Sequence, residues 1–191
     1  MDKVIVLSGS IRKDSLNKKL TIIAASMLEN LGIKTTYIDL ADFEMPLYNG
    51  DLELKIQKPE NAKRLKKLFI EHQGYVIASP EYNSSISPLL KNTIDWISRP
   101  DPSDPYPLVA FKDKFAFIMS ASPGYMGGLR GLIHLRYILE NIGSFVLPSQ
   151  FTLAAAQKAF NEEGNFIEDS HKTTLEKALK EYSNFVRKLS K

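Results

Sequence analysis

The chain has 191 residues, with 25 Lys plus Arg against 22 Asp plus Glu for a formal charge of +3, and is 43% hydrophobic and 10% aromatic. That apolar content and modest charge exclude a disordered chain, and the length fits one domain, 1–191, able to bury its own core. Without cysteine there is no disulfide framework, thiol nucleophile or thiolate metal site.

The elements follow in regular alternation. Lys3–Leu7 is a short β-branched apolar run, as expected of a strand buried on both faces. Leu16–Leu31 has Leu20, Ile23, Ala24, Met27, Leu28 and Leu31 at helical spacing, and Gly32 as its stop. Lys34–Leu40 reads as a second strand. Ala41–Lys58, with Pro46, Asn49 and Gly50, lacks periodicity and is expected to be a loop. Pro59–His72 is an amphipathic helix with proline in its first turn, and its charge run Lys58–Lys67 reads as a solvated face. Tyr75–Ser79 is a third strand and Pro88–Ser98 a third helix. Residues 99–114 hold four prolines and form an irregular connection. Phe115–Ser120 is a fourth strand, Gly128–Ile142 a fourth helix, Phe145–Leu147 a short fifth strand, and a last helix runs from about Ser170 to Leu189. Repeated strand–helix alternation predicts an α/β three-layer sandwich, a five-stranded parallel sheet with helices on both faces. In such a sheet a ligand lies beyond the carboxyl ends of the strands. The loops after strands one, three and four are therefore the ones to read.

After strand one comes Gly9-Ser10-Ile11-Arg12-Lys13-Asp14-Ser15-Leu16-Asn17. Small hydrogen-bonding side chains, an Arg and a helix N-terminus together suit a phosphate dianion. Simple capping by Ser15 or Asn17 accounts for one of these residues, not for the set. A triphosphate P-loop is absent, and so is the GxGxxG dinucleotide fingerprint. A phosphate monoester at the first loop of a doubly wound sheet points to a mononucleotide, FMN first.

After strand three, Ser79-Pro80-Glu81-Tyr82-Asn83-Ser84-Ser85-Ile86-Ser87-Pro88 is a polar loop stiffened by two prolines, suited to a planar ligand or to ordinary capping of the next helix. Glu81 invites a general-acid role, but no second carboxylate stands at a diagnostic spacing. After strand four, Ser120–Gly131 holds four glycines, which permit close backbone approach.

With these motifs in order, the sequence resembles the NADPH-dependent FMN reductase family, a flavodoxin-like group that includes quinone, azo and chromate reductases. Gly9-Ser10-x-Arg12-x-x-Ser15-x-Asn17 matches the family's phosphate loop. Pro80-Glu81-Tyr82-Asn83 followed by Leu90-Lys91-Asn92-x-Ile94-Asp95-Trp96-x-Ser98-Arg99-Pro100 matches its second signature. Ser122-Pro123-Gly124-x-x-Gly127-Gly128 followed by Leu135-Arg136 matches its third, and Ala159–Asn165 looks like its late turn. One departure is local: many members carry Pro-Gly where this chain has Ser87-Pro88, so the loop is expected to differ slightly.

The resemblance implies a flavodoxin-like fold and a bound FMN. Its phosphate would sit on Ser10, Arg12, Ser15, Leu16 and Asn17, its ring against Pro80, Glu81, Tyr82, Asn83 and Ser84, and its remaining edge along Ser122 and Gly124. It implies hydride transfer from NADPH or NADH to the flavin and then electrons to free FMN, a quinone, an azo compound or a metal oxyanion. No side chain is catalytic in that scheme, because the flavin carries the chemistry. The acceptor would be selected at a mouth formed partly by the Phe43–Gly50 loop. It also implies a homodimer or homotetramer packed through the third and fourth helices. The rival is a flavodoxin-type electron carrier, but such carriers are usually strongly acidic and this chain is not.

Arg130 and Arg136 could pair with Glu140 or with a partner subunit. His72, His134 and His171 stand far apart, so no metal site is expected. No membrane span, leader or nucleic-acid patch is read, and the expected location is the cytoplasm.

Overall fold

The computed structural model describes residues 2–189. Its first strand, β1 (Lys3–Ser8), is followed by α1 (Leu16–Asn30) and β2 (Lys34–Ile38). Then come α2 (Gly50–Ile56), α3 (Glu60–Glu71), β3 (Gly74–Ala78), a small hairpin β4 (Glu81–Tyr82) and β5 (Ser85–Ile86), and α4 (Pro88–Ser98). The chain closes with β6 (Phe115–Ala121), α5 (Leu129–Asn141), β7 (Phe145–Val146), β8 (Phe151–Leu153) and α6 (Asp169–Leu189).

The main sheet runs β2-β1-β3-β6-β7 and is parallel throughout, with β8 also paired to β6. β7 lies beside Phe115 and Ala116, β8 beside Met119 to Ala121, so the two share the fifth strand position. The expected fifth strand is thus present but broken over 147–150, where Pro148 offers no N–H to a ladder.

Alternation along the buried strands feeds two cores. Val4, Val6, Val76, Phe117 and Met119 face Leu20, Ala24 and Leu28 of α1 and Leu175, Leu179 and Tyr182 of α6. Ile5, Leu7, Tyr75, Ile77 and Ile118 face Leu65 and Phe69 of α3, Leu90, Ile94 and Ile97 of α4, and Leu132, Leu135 and Leu139 of α5. Strands buried on both faces need no polar alternation, which is why they read as unbroken apolar runs.

The segment expected to be a loop over Ala41–Lys58 contains α2. Asn49 caps it, its Oδ1 accepting from the N–H groups of Asp51 (2.8 Å) and Leu52 (3.2 Å), so Asn-Gly begins a helix here instead of breaking one. No residue of α2 is buried. Its attachment comes from α4. Asn92 accepts from the Tyr48 N–H (2.7 Å) and donates to Pro46 O (3.0 Å), and the Trp96 indole N–H donates to Pro46 O (2.7 Å). Arg99 meets the Glu53 carboxylate at 2.9 and 3.0 Å.

The charge run is not a uniformly solvated face either. Lys58 and Lys66 are buried, and both ammonium groups reach the Arg99 carbonyl and the Asp101 carboxylate, with Lys66 also bonded to Asp104. Burial works against ionisation of Asp101, but hydrogen bonds from the two lysines outweigh it and hold the carboxyl below its usual range.

Candidate functional site

Chain order leaves β1 for β2 on one side and returns to β3 on the other, so the topological switch lies between β1 and β3. The sheet ladder continues past the strand ends here: Gly9 N–H donates to Ala78 O (2.9 Å), Ser79 N–H to Met119 O (2.8 Å) and Ser122 N–H to Leu153 O (3.0 Å). The three loops therefore start from fixed positions, and a cleft of about 120 Å³ opens among them.

The loop after β1 contributes Ser10, Arg12, Ser15, Leu16 and Asn17 to the cleft wall. Ser15 is the N-cap of α1, its Oγ accepting from the Lys18 N–H at 3.3 Å. The Ser10 Oγ accepts from the Arg12 N–H at 3.4 Å, which curls the loop. Arg12 is exposed and has no carboxylate partner among the described residues. The N–H groups of Leu16 and Asn17, the first two of α1, have no preceding helical carbonyl to bond, so they remain donors at the positive end of the helix dipole. Asn17 is different: its amide donates to Ala121 O and accepts from the Ala121 N–H, both at 2.9 Å. Its polar atoms tie the first loop to the end of β6.

The loop after β3 contributes Pro80, Glu81 and Tyr82. It folds as the β4–β5 hairpin, unexpected from sequence, whose two central residues Asn83 (φ 49) and Ser84 (φ 66) both take the left-handed conformation that a tight hairpin turn requires. Asn tolerates it; Ser84 is strained. These two residues form the turn and do not line the cleft. Ser87, where the family departure falls, caps α4 by accepting from Leu90 N–H (3.2 Å) and donates to Gly9 O (2.6 Å). The displaced proline thus leaves a serine that locks two of the three loops together.

The loop after β6 contributes Ala121, Ser122 and Pro123. Ser122 Oγ accepts from the Gly124 N–H at 3.2 Å, so Gly124 backs the wall without forming part of it. Gly128 has φ +89, and a Cβ there would fall 1.9 Å from Ser120 Oγ, so only glycine fits. Nine of the twelve residues singled out from sequence line one cleft, and Asn83, Ser84 and Gly124 follow closely on lining residues in the chain without lining it themselves. Ala121 and Pro123 were missed because neither carries a polar group to draw attention. No residue of the Phe43–Gly50 loop lines the cleft.

Glu81 is the acidic residue of the wall, and it is paired. Its carboxylate meets Arg130 of α5 at 2.7 and 3.0 Å. Of the two arginines that could pair with Glu140 or with a partner subunit, Arg136 lies 3.6 Å from Glu140, one helical turn away, and Arg130 pairs with Glu81. His134 joins Ser85 Oγ at 3.0 Å. Among the described residues no group of three or more His, Asp or Glu is arranged to hold a metal, and no helix is long and apolar enough to cross a membrane.

Residues 3–158 match the model of the NADPH-dependent FMN reductase family. The chain is 35% identical to an NADPH:quinone oxidoreductase of Arabidopsis thaliana, covering 98% of this chain and 93% of that one. It is 33% identical to an NAD(P)H-dependent FMN reductase of Pseudomonas aeruginosa, covering 98% and 96%. Among solved structures, the flavoenzyme NAD(P)H:(acceptor) oxidoreductase FerB of Paracoccus denitrificans superposes with a TM-score of 0.81 at 28% identity over 98% of both chains.

Proposed function

The chain belongs to the NADPH-dependent FMN reductase family, and from that premise we propose that the cleft beyond β1, β3 and β6 is where its FMN binds. The protein is an NAD(P)H-dependent oxidoreductase with FMN as cofactor. The observation that carries the site reading is the donor set. Two serine hydroxyls, a helix N-terminus and a guanidinium with no carboxylate partner among the described residues converge on one side of the cleft. That chemistry fits a phosphate monoester.

Arg12 and Ser10 hold the phosphate, with the first-turn N–H groups of α1. Asn17 keeps that loop registered against β6, and Ser87 keeps it registered against α4. Pro80, Tyr82, Ser122 and Pro123 would border the flat ring. The cofactor supplies the redox chemistry, accepting a hydride and passing electrons to an acceptor. The chain's residues orient it, and no side chain is assigned as acid or base.

A cleft of about 120 Å³ is smaller than the roughly 300 Å³ of a typical small-molecule site, so one chain leaves much of a three-ring system uncovered. Exposed Ile133 and Tyr137, one turn apart on α5, with exposed Tyr82 and Tyr125, supply apolar surface for a second copy. That surface supports the reading as a homodimer or homotetramer of single-domain chains, and the cytoplasm is its proposed location. A quinone or a free flavin is the acceptor class, taken up in the space the nicotinamide vacates.

The test is the anaerobic visible spectrum of the purified protein loaded with FMN. A retained flavin spectrum bleached by NADPH or NADH supports the reading. A flavin that stays oxidised with both would favour an electron carrier, and a protein that retains no FMN would sink the site.

A further inference from the structure

Glu81 is the carboxylate of the cleft wall, and its side chain is only 9% exposed, whereas its partner Arg130 is 55% exposed and lies outside the wall. The carboxylate is engaged on both oxygens. Oε1 accepts from Arg130 Nε at 3.0 Å and lies 2.7 Å from Nη2, and Oε2 accepts from the Gly131 N–H at 3.2 Å. One turn further along α5, His134 bonds Ser85 on the other strand of the hairpin at 3.0 Å. Gly131 permits this approach, since a Cβ there would stand 3.0 Å from the Ser85 carbonyl oxygen. The hairpin, with its left-handed Asn83–Ser84 turn, is thus held by one face of α5.

We propose that Arg130 is a positioning residue that acts electrostatically as well as mechanically. It anchors the hairpin and neutralises the carboxylate that would otherwise face the cofactor ring. The inference rests on the cleft being the FMN site. Reduction adds electron density to the ring, so an unpaired carboxylate beside it opposes reduction, and an unpaired guanidinium favours it. The pair joins residues 49 apart in sequence and keeps the local charge balanced.

Two substitutions and their combination test this. In the FMN-loaded protein, Arg130→Gln is expected to lower the flavin midpoint potential and Glu81→Gln to raise it, while the double variant returns close to the original value. Opposite shifts that cancel in the double variant are what two opposite charges beside the ring produce by simple addition. Hydrogen exchange of residues 81–86 in the flavin-free protein is the companion measurement, with faster exchange expected in Arg130→Gln. An unchanged potential, or shifts of the same sign in the two single variants, would overturn the electrostatic role. Unchanged exchange would overturn the anchor. If the unsubstituted protein held no FMN, the site reading and the electrostatic role would fall together, and exchange in the flavin-free chain would still decide the anchor.

Discussion

Two clusters of charge in this molecule have opposite fates. Around α3, Lys58 and Lys66 are buried and their ammonium groups are consumed by Asp101, Asp104 and the Arg99 carbonyl. In the loop after β1, Arg12 and Lys13 are exposed, and Arg12 has no carboxylate partner among the described residues although it borders a cleft of hydroxyls. A charge whose partners are internal holds structure. A converging donor set left without internal acceptors is shaped for a ligand. The contrast is chemical as well as geometric, because burying an unpaired charge is far more costly than leaving one in water.

The largest effect expected from breaking this contrast is on the buried side. Lys66→Ala leaves Asp104 without its lysine and Asp101 with Lys58 alone, and should reduce unfolding free energy by about 3–5 kcal/mol, as removal of one member of a buried ion pair does. Urea denaturation of the flavin-free protein measures it, and FMN affinity at temperatures where the variant is folded should stay within about twofold. A stability change as small as that of a surface lysine would show that the cluster is solvated after all.

On the open side the signs exchange. Arg12→Ala should alter stability by no more than about 0.5 kcal/mol. Its FMN dissociation constant, read by flavin fluorescence, should rise about tenfold to a hundredfold, the equivalent of one charge-assisted hydrogen bond. Adding Ser15→Ala removes the α1 cap as well and should cost about a further 1 kcal/mol of stability. Unchanged affinity in the double variant would refute the phosphate assignment.

The smallest effect concerns His72, buried at the end of α3 with one ring nitrogen against Leu68 O (2.6 Å) and the other against Thr36 Oγ1 (2.8 Å). Burial first, then the charges of Lys3 and Lys114, hold its imidazole below the usual histidine range despite the Leu68 carbonyl. Between the ordinary value of about 6.5 and the lower folded value, the unfolded chain binds a proton that the folded chain does not. Stability should therefore fall as pH drops through that window, and His72→Gln should flatten the slope below about pH 6.5. Asp101 acts in a separate and more acidic window: its folded carboxyl is depressed, so its contribution is lost as pH falls below the ordinary Asp value of about 3.9. Urea midpoints across this pH range distinguish the two.

Much of the architecture was legible because it is local. Unbroken apolar runs mark strands buried on both faces, 3–4 spacing marks the helices, and the three unusual loops all follow strands that end at the switch point. The misreadings share a cause. Asn49-Gly50 has the composition of a turn, but Asn49 turns its side chain onto the next two N–H groups and starts α2. The Lys58–Lys67 run has the composition of a solvated face, but the fold brings Asp101 to Lys58 and Lys66 and buries both.

By itself the sequence determined the alternation of strands and helices, the switch-point loops and the phosphate-like donor set, since each depends on residues within a few positions of one another. Only the tertiary structure decided which polar groups remain available. Asn17 spends its amide on Ala121, 104 residues away. Glu81 is taken by Arg130, and Lys66 by carboxylates 35 and 38 residues on. Hydrogen-bond capacity is a property of the residue type, but whether it is already used depends on what the fold brings within about 3 Å, and sequence spacing does not encode that distance.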